Sequence, residues 1–108
     1  MRDYIHVQDL AKGHVAALRY LQGQGERFTA NLGTGKGYSV LEVVKAFEYA
    51  SGKLVPCKLA PRRAGDIAQC YSYPTLAHQL LGWQATCTLQ DMCTDAWRWQ
   101  SNNPKGYA

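Results

Sequence analysis

Strand-forming segments are scarce in this sequence and cannot complete a doubly wound sheet. Residues typical of β-strands gather in three short stretches, 2–7, 27–32 and 54–60, and the stretch 67–73 is also predicted to be extended. Strand and helix segments alternate along the chain, which predicts the α/β class. Because three short strands are too few for a complete sheet of that class, we expect this chain to be a piece of a larger fold.

About four helices are predicted from their boundary residues. Asp9 is a good N-cap for a first helix, which the glycines of 23–25 are predicted to end. The segments 39–42 and 88–91 have the pattern of a capping box, and each precedes apolar residues at helical spacing. A short helix is predicted between them, over 74–82. The sequence therefore predicts short strands connected by four helices.

The composition excludes several classes of protein. Hydrophobic residues make up 46% of the 108 residues, so the chain can bury a core. The formal charge is +4, but the only basic doublet is Arg62-Arg63, which favours a small anionic ligand over a nucleic acid. No apolar stretch approaches a membrane span, and the first ten residues lack the apolar run of a signal peptide. We therefore expect a cytoplasmic protein that contacts neither membrane nor nucleic acid.

Cysteine and histidine spacing gives no support for a metal site. The four cysteines form no Cys-x-x-Cys pair, and the three histidines have no partner at metal-ligand spacing. In a cytosolic chain the thiols are expected to be reduced. We expect these histidines to be structural; they are His6, His14 and His78.

A glycine-rich turn follows the second strand segment, where a dinucleotide-binding fingerprint would lie. Gly33 and Gly35 match its first two glycines, but Tyr38 occupies the position of the third. Beginning at Gly35 instead places Val40 there. The turn is therefore predicted to be structural, with no cofactor pyrophosphate bound to it.

The turn 61–66 is the best candidate for a ligand-binding segment. Arg63 carries a planar fork of donors that matches phosphate oxygens, and Asp66 can accept hydrogen bonds from sugar hydroxyls. Such a pair could bind a nucleotide diphosphate together with its ribose. A plain surface ion pair is the alternative, and spacing alone favours it. Arg2 has the same ambiguity, because it could pair with a carboxylate or reach an anion beside Arg63.

Several motifs together resemble a known family. The segments 2–11 (RDYIHVQDLA) and 31–43 (NLGTGKGYSVLEV) are similar to signatures of extended short-chain dehydrogenases that act on nucleotide sugars. The segment 60–66 (APRRAGD) and the tail from Trp97 to Tyr107 narrow the resemblance to the UDP-hexose 4-epimerases. The resemblance covers essentially the whole chain. It implies that residues 1–108 are the C-terminal substrate-binding region of such an enzyme, whose N-terminal Rossmann sheet lies outside this sequence.

The resemblance also implies roles for individual residues. Arg2 and Arg63 match arginines that approach the UDP diphosphate, and Asp66 matches the aspartate that binds the ribose hydroxyls. Tyr4 and Val40 match residues that line the nucleotide slot.

Cys70 matches a position on the sugar side of the pocket, where a small residue is associated with room for N-acetylated sugars. We therefore expect UDP-hexoses, and also UDP-N-acetylhexosamines, as ligands of the parent enzyme.

The resemblance places the catalytic parts of the family outside this sequence. The glycine-rich NAD loop, the catalytic serine and the Tyr-x-x-x-Lys pair would all precede Met1. The resemblance therefore implies NAD in a full-length parent, which is expected to be a homodimer, and no cofactor bound by this chain, which should be inactive alone. Two alternatives stay open: a fragment of another nucleotide-sugar decarboxylase or dehydratase, and a non-enzymatic remnant that binds UDP or a protein weakly.

Overall fold

Four helices organise the chain in a computed structural model, which describes residues 1–24 and 26–106. They are α1 (Val7–Gln24), α2 (Val40–Ser51), α3 (Thr75–Leu81) and α4 (Leu89–Asn102). Within the described ranges, no helix is long and apolar enough to cross a membrane. The number and order of the helices agree with the sequence-based prediction.

Both predicted capping boxes mark a helix start. The Ser39 side chain accepts a hydrogen bond from the Glu42 backbone N–H at 3.1 Å, and α2 begins at the next residue. At α4 both hydrogen bonds of a capping box are present. The Thr88 hydroxyl accepts from the Asp91 N–H, and the Asp91 carboxylate accepts from the Thr88 N–H. These local patterns succeed because each cap satisfies backbone donors that the helix itself leaves unpaired.

The predicted N-cap of α1 is wrong. The helix begins two residues before Asp9, and the Nδ1 atom of His6 accepts the Gln8 backbone N–H at 3.0 Å. Asp9 lies in the first helical turn and points its carboxylate at another part of the chain. A cap residue is recognised by its side-chain chemistry, and here an imidazole nitrogen performs the function of the expected carboxylate.

The glycines near the helix ends behave differently from one another. Gly82 closes α3 in the left-handed conformation, with φ 64°, as predicted. Gly23 was predicted to end α1 but lies inside that helix, which continues to Gln24. Gly25, which is also predicted to end α1, lies outside the described residues.

The predicted strands are absent from the described part of the chain, so the α/β prediction is corrected to a helix-rich fragment. Isolated bridges are the only β-pairing there: Arg2 pairs with Tyr38 in antiparallel fashion and with Cys70 in parallel fashion. A strand needs a neighbour to satisfy its N–H and C=O groups, and β-propensity reflects a fit to such a paired surface. The segment 54–60 has no such neighbour, and Leu54 and Leu59 are 89% and 96% exposed.

The helices pack in two pairs, α1 with α3 and α2 with α4. Between α2 and α4, the rings of Phe47 and Trp97 meet edge to face with centroids 6.0 Å apart, and the Lys53 ammonium lies 5.3 Å from the Trp97 ring. The buried apolar side chains are few among the described residues: Ala77, Trp83 and Cys93. The fold therefore buries little apolar surface for its length.

Asp9 connects the two helix pairs. Its carboxylate accepts hydrogen bonds from the backbone N–H groups of Thr86 and Cys87 at 3.1 and 2.9 Å and from the Thr86 hydroxyl at 3.2 Å. Its carbonyl accepts the Trp83 indole N–H at 2.9 Å. Burial raises the pKa of the Asp9 carboxyl, but these hydrogen bonds outweigh burial and leave that pKa below its ordinary value. The loop that precedes α4 is thereby attached to the first turn of α1.

Candidate functional site

One surface cleft brings together five of the six residues predicted to bind a ligand. It has a volume of about 530 Å³ and lies between three segments, 1–4, 38–40 and 60–68. The predicted residues that line it are Arg2, Tyr4, Val40, Arg63 and Asp66. These residues are far apart in the sequence, so their convergence is a property of the tertiary structure.

Hydrogen bonds of Arg2 connect two walls of this cleft. Its Nη1 atom donates to the backbone carbonyls of Met1 and Ile67, both at 2.9 Å. The backbone of Arg2 also exchanges both bridge hydrogen bonds with Tyr38, at 2.9 and 2.8 Å. Arg2 is half-buried and lines the cleft, so its guanidinium is a candidate partner for an anionic ligand.

Arg63 and Asp66 form an exposed ion pair at the cleft. The Arg63 Nε atom lies 3.1 Å from Oδ2 of Asp66, and the Arg63 side chain is 85% exposed. Gly65 permits the turn between them because it adopts φ 84°, a left-handed conformation that favours glycine. An exposed pair of this kind contributes at most about 1 kcal/mol to stability. Stability therefore does not account for the placement of two charges at a concave surface.

Cys70 lies in a second, adjoining cleft of about 390 Å³. Arg2 lines both clefts, while Cys70 shares its own with Tyr71 and Ser72. The Cys70 thiol is exposed, and its backbone hydrogen-bonds to Met1 and Asp3. The structure thus places Cys70 beside the group of five and not among them.

Two residues of this region were not singled out by the sequence. Tyr38 lines the main cleft, and the only sequence signal was that it replaces the third glycine of a fingerprint. Asp3 has a larger structural role. Its carboxylate accepts from the Thr34 N–H and hydroxyl at 3.0 and 2.6 Å, from the Gly35 N–H at 2.9 Å and from the Ser72 hydroxyl at 3.0 Å.

The glycine-rich turn is occupied by this internal carboxylate. The Thr34 and Gly35 N–H groups, which a dinucleotide pyrophosphate would need, both donate to Asp3. A Cβ atom at Gly33 would lie 1.9 Å from the Ser72 hydroxyl, so glycine is required there for close packing. The residues present do not fit a cofactor pyrophosphate, which supports the interpretation of this turn as structural.

Burial raises the pKa of the Asp3 carboxyl, and the hydrogen bonds from Thr34, Gly35 and Ser72 lower it further than burial raises it. The net result is a pKa below the ordinary value, so Asp3 is ionised at neutral pH. A charged acceptor strengthens each of these hydrogen bonds.

The buried histidine His6 has a structural role in this fold. His6 accepts the Gln8 N–H at Nδ1, so its Nε2 atom carries the proton and donates to Asp95 Oδ2 at 2.7 Å. Across residues 1–24 and 26–106 no three His, Cys, Asp or Glu side chains gather as a metal site would require.

Known proteins resemble this chain closely in sequence and structure, although no protein-family model matches it. UDP-glucose 4-epimerase of Mus musculus is 59% identical over 107 residues, which are 99% of this chain and 31% of that protein. The crystal structure of UDP-glucose 4-epimerase from Stenotrophomonas maltophila, with bound NAD and formylated UDP-arabinopyranose, superposes with a TM-score of 0.91. It is 50% identical and covers 95% of this chain and 31% of its own.

A third relative is UDP-glucose 4-epimerase from Bifidobacterium longum in complex with NAD⁺ and UDP. Its TM-score is 0.89 at 50% identity, over 97% of this chain and 31% of its own. The chain therefore spans about a third of the length of the relatives it matches. Over essentially its whole length, this chain is homologous to the C-terminal part of UDP-glucose 4-epimerases.

Proposed function

We propose that this chain forms the UDP-sugar-binding wall of a UDP-hexose 4-epimerase and that residues 1–108 act as its substrate-binding region. The observation that carries the proposal is the cleft in which Arg2 and Arg63, 61 positions apart, line one concave surface with Asp66. Two guanidinium groups around one cleft suit a diphosphate, whose oxygens match their planar forks of donors. The relatives crystallised with UDP or a UDP-sugar have the same fold over this region.

Within this proposal each cleft residue has a definite task. Arg2 and Arg63 bind the diphosphate, and Asp66 accepts hydrogen bonds from the ribose hydroxyls. Tyr4 and Val40 form the apolar sides of the nucleotide slot. Ligand binding would require Asp66 to share its carboxylate between the ribose and the Arg63 Nε atom that it now contacts. Cys70, in the adjoining cleft, would face the sugar.

Catalysis is assigned to the part of the parent enzyme outside this chain. There NAD supplies a reversible hydride acceptor for C4 of the hexose, and the Tyr-x-x-x-Lys pair implied by the resemblance provides the proton chemistry. The residues of this chain bind and orient the substrate. We accordingly propose that the isolated chain is inactive. The homodimeric state of the parent and its cytoplasmic location stay predictions.

A chimeric enzyme tests the proposal directly. This chain would replace the matching 107-residue region of the mouse relative, and interconversion of UDP-galactose and UDP-glucose would be measured. We expect an active epimerase whose KM for UDP-galactose rises when Arg63 is changed. The reference is the unmodified mouse enzyme, purified and assayed in parallel.

Failure of the chimera would have a clear meaning. A chimera that folds, as judged by its near-UV circular dichroism and its content of NAD, but binds no UDP would contradict the proposed function. A chimera that binds UDP and consumes other nucleotide sugars, without epimerising UDP-galactose, would favour the decarboxylase or dehydratase alternative.

A further inference from the structure

Three chain segments that adjoin the walls of the candidate cleft meet at one carboxylate, that of Asp3. Arg2 and Tyr4 flank Asp3 in the sequence. The glycine-rich turn leads directly to Tyr38 and Val40, and Ser72 follows the segment that carries Asp66. The hydrogen bonds of Asp3 therefore connect segments that lead to every wall of the cleft. Asp3 does not line this cleft; it lines the adjoining one, beside Cys70.

The geometry around Asp3 is closely constrained. Besides the bonds to Thr34 and Gly35, its Oδ2 atom accepts the Ser72 N–H at 3.3 Å and the Ser72 hydroxyl at 3.0 Å. Its own backbone N–H donates to the Cys70 carbonyl at 3.1 Å. Because a Cβ atom at Gly33 would lie only 2.7 Å from Asp3 Oδ2, the turn approaches the carboxylate as closely as packing allows.

We propose that Asp3 is a positioning residue for UDP binding, which holds Arg2, Val40 and Asp66 at the separations that a UDP ligand requires. This inference rests on the proposed function of the cleft. Both oxygens of the Asp3 carboxylate already accept hydrogen bonds from the protein, so Asp3 acts on the candidate cleft through its neighbours. Arg2 also connects these segments, through its Nη1 atom to Ile67 and through its backbone to Tyr38, but none of these bonds reaches the glycine-rich turn at Thr34 and Gly35.

The test uses the active chimera with Asp3→Asn. An amide of the same size replaces two acceptor oxygens by one and places a donor against the N–H groups of the turn. We expect KM for UDP-galactose and Kd for UDP to rise about tenfold, since small errors in the placement of binding groups have large effects, while kcat changes less than threefold.

Asp9→Asn is the matched control. Asp9 is also a carboxylate of lowered pKa that accepts backbone N–H groups from a distant loop, but it lies outside the cleft. We expect Asp9→Asn to lower thermal stability and to leave KM and Kd unchanged at a temperature where both variants are folded. If Asp9→Asn raises KM as much as Asp3→Asn does, the effect is one of general stability and the inference is overturned.

Two milder variants test the inference in case Asp3→Asn does not fold. Thr34→Val and Ser72→Ala each remove one hydroxyl donor to Asp3. We expect each to raise KM two- to threefold, that is by about 0.4–0.7 kcal/mol in binding free energy, and unchanged KM in both would overturn the inference. A parent chimera without activity contradicts the proposed function, whereas an active parent with these unaffected variants contradicts only the role of Asp3.

Discussion

Individual charged residues in this chain divide into those that connect the fold and those that face the cleft. Asp3 and Asp9 accept backbone hydrogen bonds from distant segments and are thereby committed to structure. Arg63 has an exposed side chain that pairs with Asp66 at the mouth of the cleft. An exposed guanidinium beside a concave surface can exchange its protein partner for a ligand at little cost in stability.

Substitution of Arg63 tests its role in binding. In the chimera, Arg63→Ala should weaken UDP-sugar binding by about 2 kcal/mol, roughly 30-fold in Kd, because charge-assisted hydrogen bonds are lost. Arg63→Lys should recover only part of this, since an ammonium cannot donate in bidentate fashion. Isothermal titration with UDP measures both values.

Arg98→Ala is the control for this measurement, because Arg98 also forms an exposed pair with an aspartate, Asp95, at 3.5 Å, but on α4. Its Kd should match that of the unchanged chimera. An unchanged Kd in both Arg63 variants would show that Arg63 is an ordinary surface arginine that does not bind UDP.

Substitution of Cys70 tests which sugars fit. Cys70→Tyr should retain turnover of UDP-galactose and sharply reduce that of UDP-N-acetylgalactosamine, because the phenol ring would take the volume needed by the acetamido group. Cys70→Ser should leave both turnovers near the starting values.

Cys57→Tyr provides the comparison, since Cys57 is also exposed but lies outside the clefts of Arg2. Equal loss of both substrates in Cys70→Tyr, or loss of neither, would show that Cys70 does not face the sugar.

At the scale of elements, helix boundaries follow local side-chain chemistry and helix pairing follows long-range contacts. Ser39 and Thr88 are capping residues whose partners lie three positions away, so the sequence specifies them directly. The attachment of α1 to the loop before α4 depends on Asp9 and residues 77 and 78 positions later. Such a contact has no local signature.

Asp9 also makes the stability of the fold depend on pH. Its pKa is lower in the folded chain than in the unfolded chain, so its contribution is fully present above the unfolded value of about 4 and is lost as the pH falls through the folded value. Asp9→Asn should reduce the free energy of unfolding at pH 7 by about 2 kcal/mol, because buried N–H groups lose a charged acceptor.

Urea denaturation of the chimera between pH 7 and pH 3, monitored by circular dichroism, measures this dependence. The difference between the variant and the parent should shrink toward low pH, where the parent carboxylate is protonated as well. A difference that stays constant over this range would show that Asp9 contributes through packing and not through its charge.

The molecule as a whole has the exposure pattern of a part that packs against something else. Large apolar side chains on α1 are open to solvent, with Val7 at 71% and Leu18 at 58% exposure. The described chain measures 49 × 36 × 24 Å, an extended shape for its length. The relatives it matches are about three times longer.

The isolated chain should bind no NAD, because the N–H groups of its glycine-rich turn already donate to Asp3. The measurement is the nucleotide absorbance released by denaturing the purified chain, with the chimera as the positive control. A stoichiometric NAD signal from the isolated chain would contradict both the structural interpretation of the turn and the assignment of the cofactor to the rest of the parent.

Helix number and the capping boxes could be predicted from the sequence, whereas the ligand-binding role of the segment 61–66 stays a prediction. The strand predictions failed because a strand exists only with a paired neighbour, and the described chain pairs only single residues, Arg2 with Tyr38 and with Cys70. Spacing alone favoured a plain ion pair for Arg63 and Asp66. Only their place in one cleft with Arg2 distinguishes them from other surface pairs.

The sequence by itself determined the features that depend on neighbours within one helical turn, together with the motifs that resemble the epimerases. The tertiary structure decided what Asp3, Asp9 and Tyr38 do, since each interacts with residues more than thirty positions away. The physical reason is the range of the interactions. A cap or a turn is satisfied within a few residues, whereas a buried carboxylate finds its donors only after the chain has folded around it.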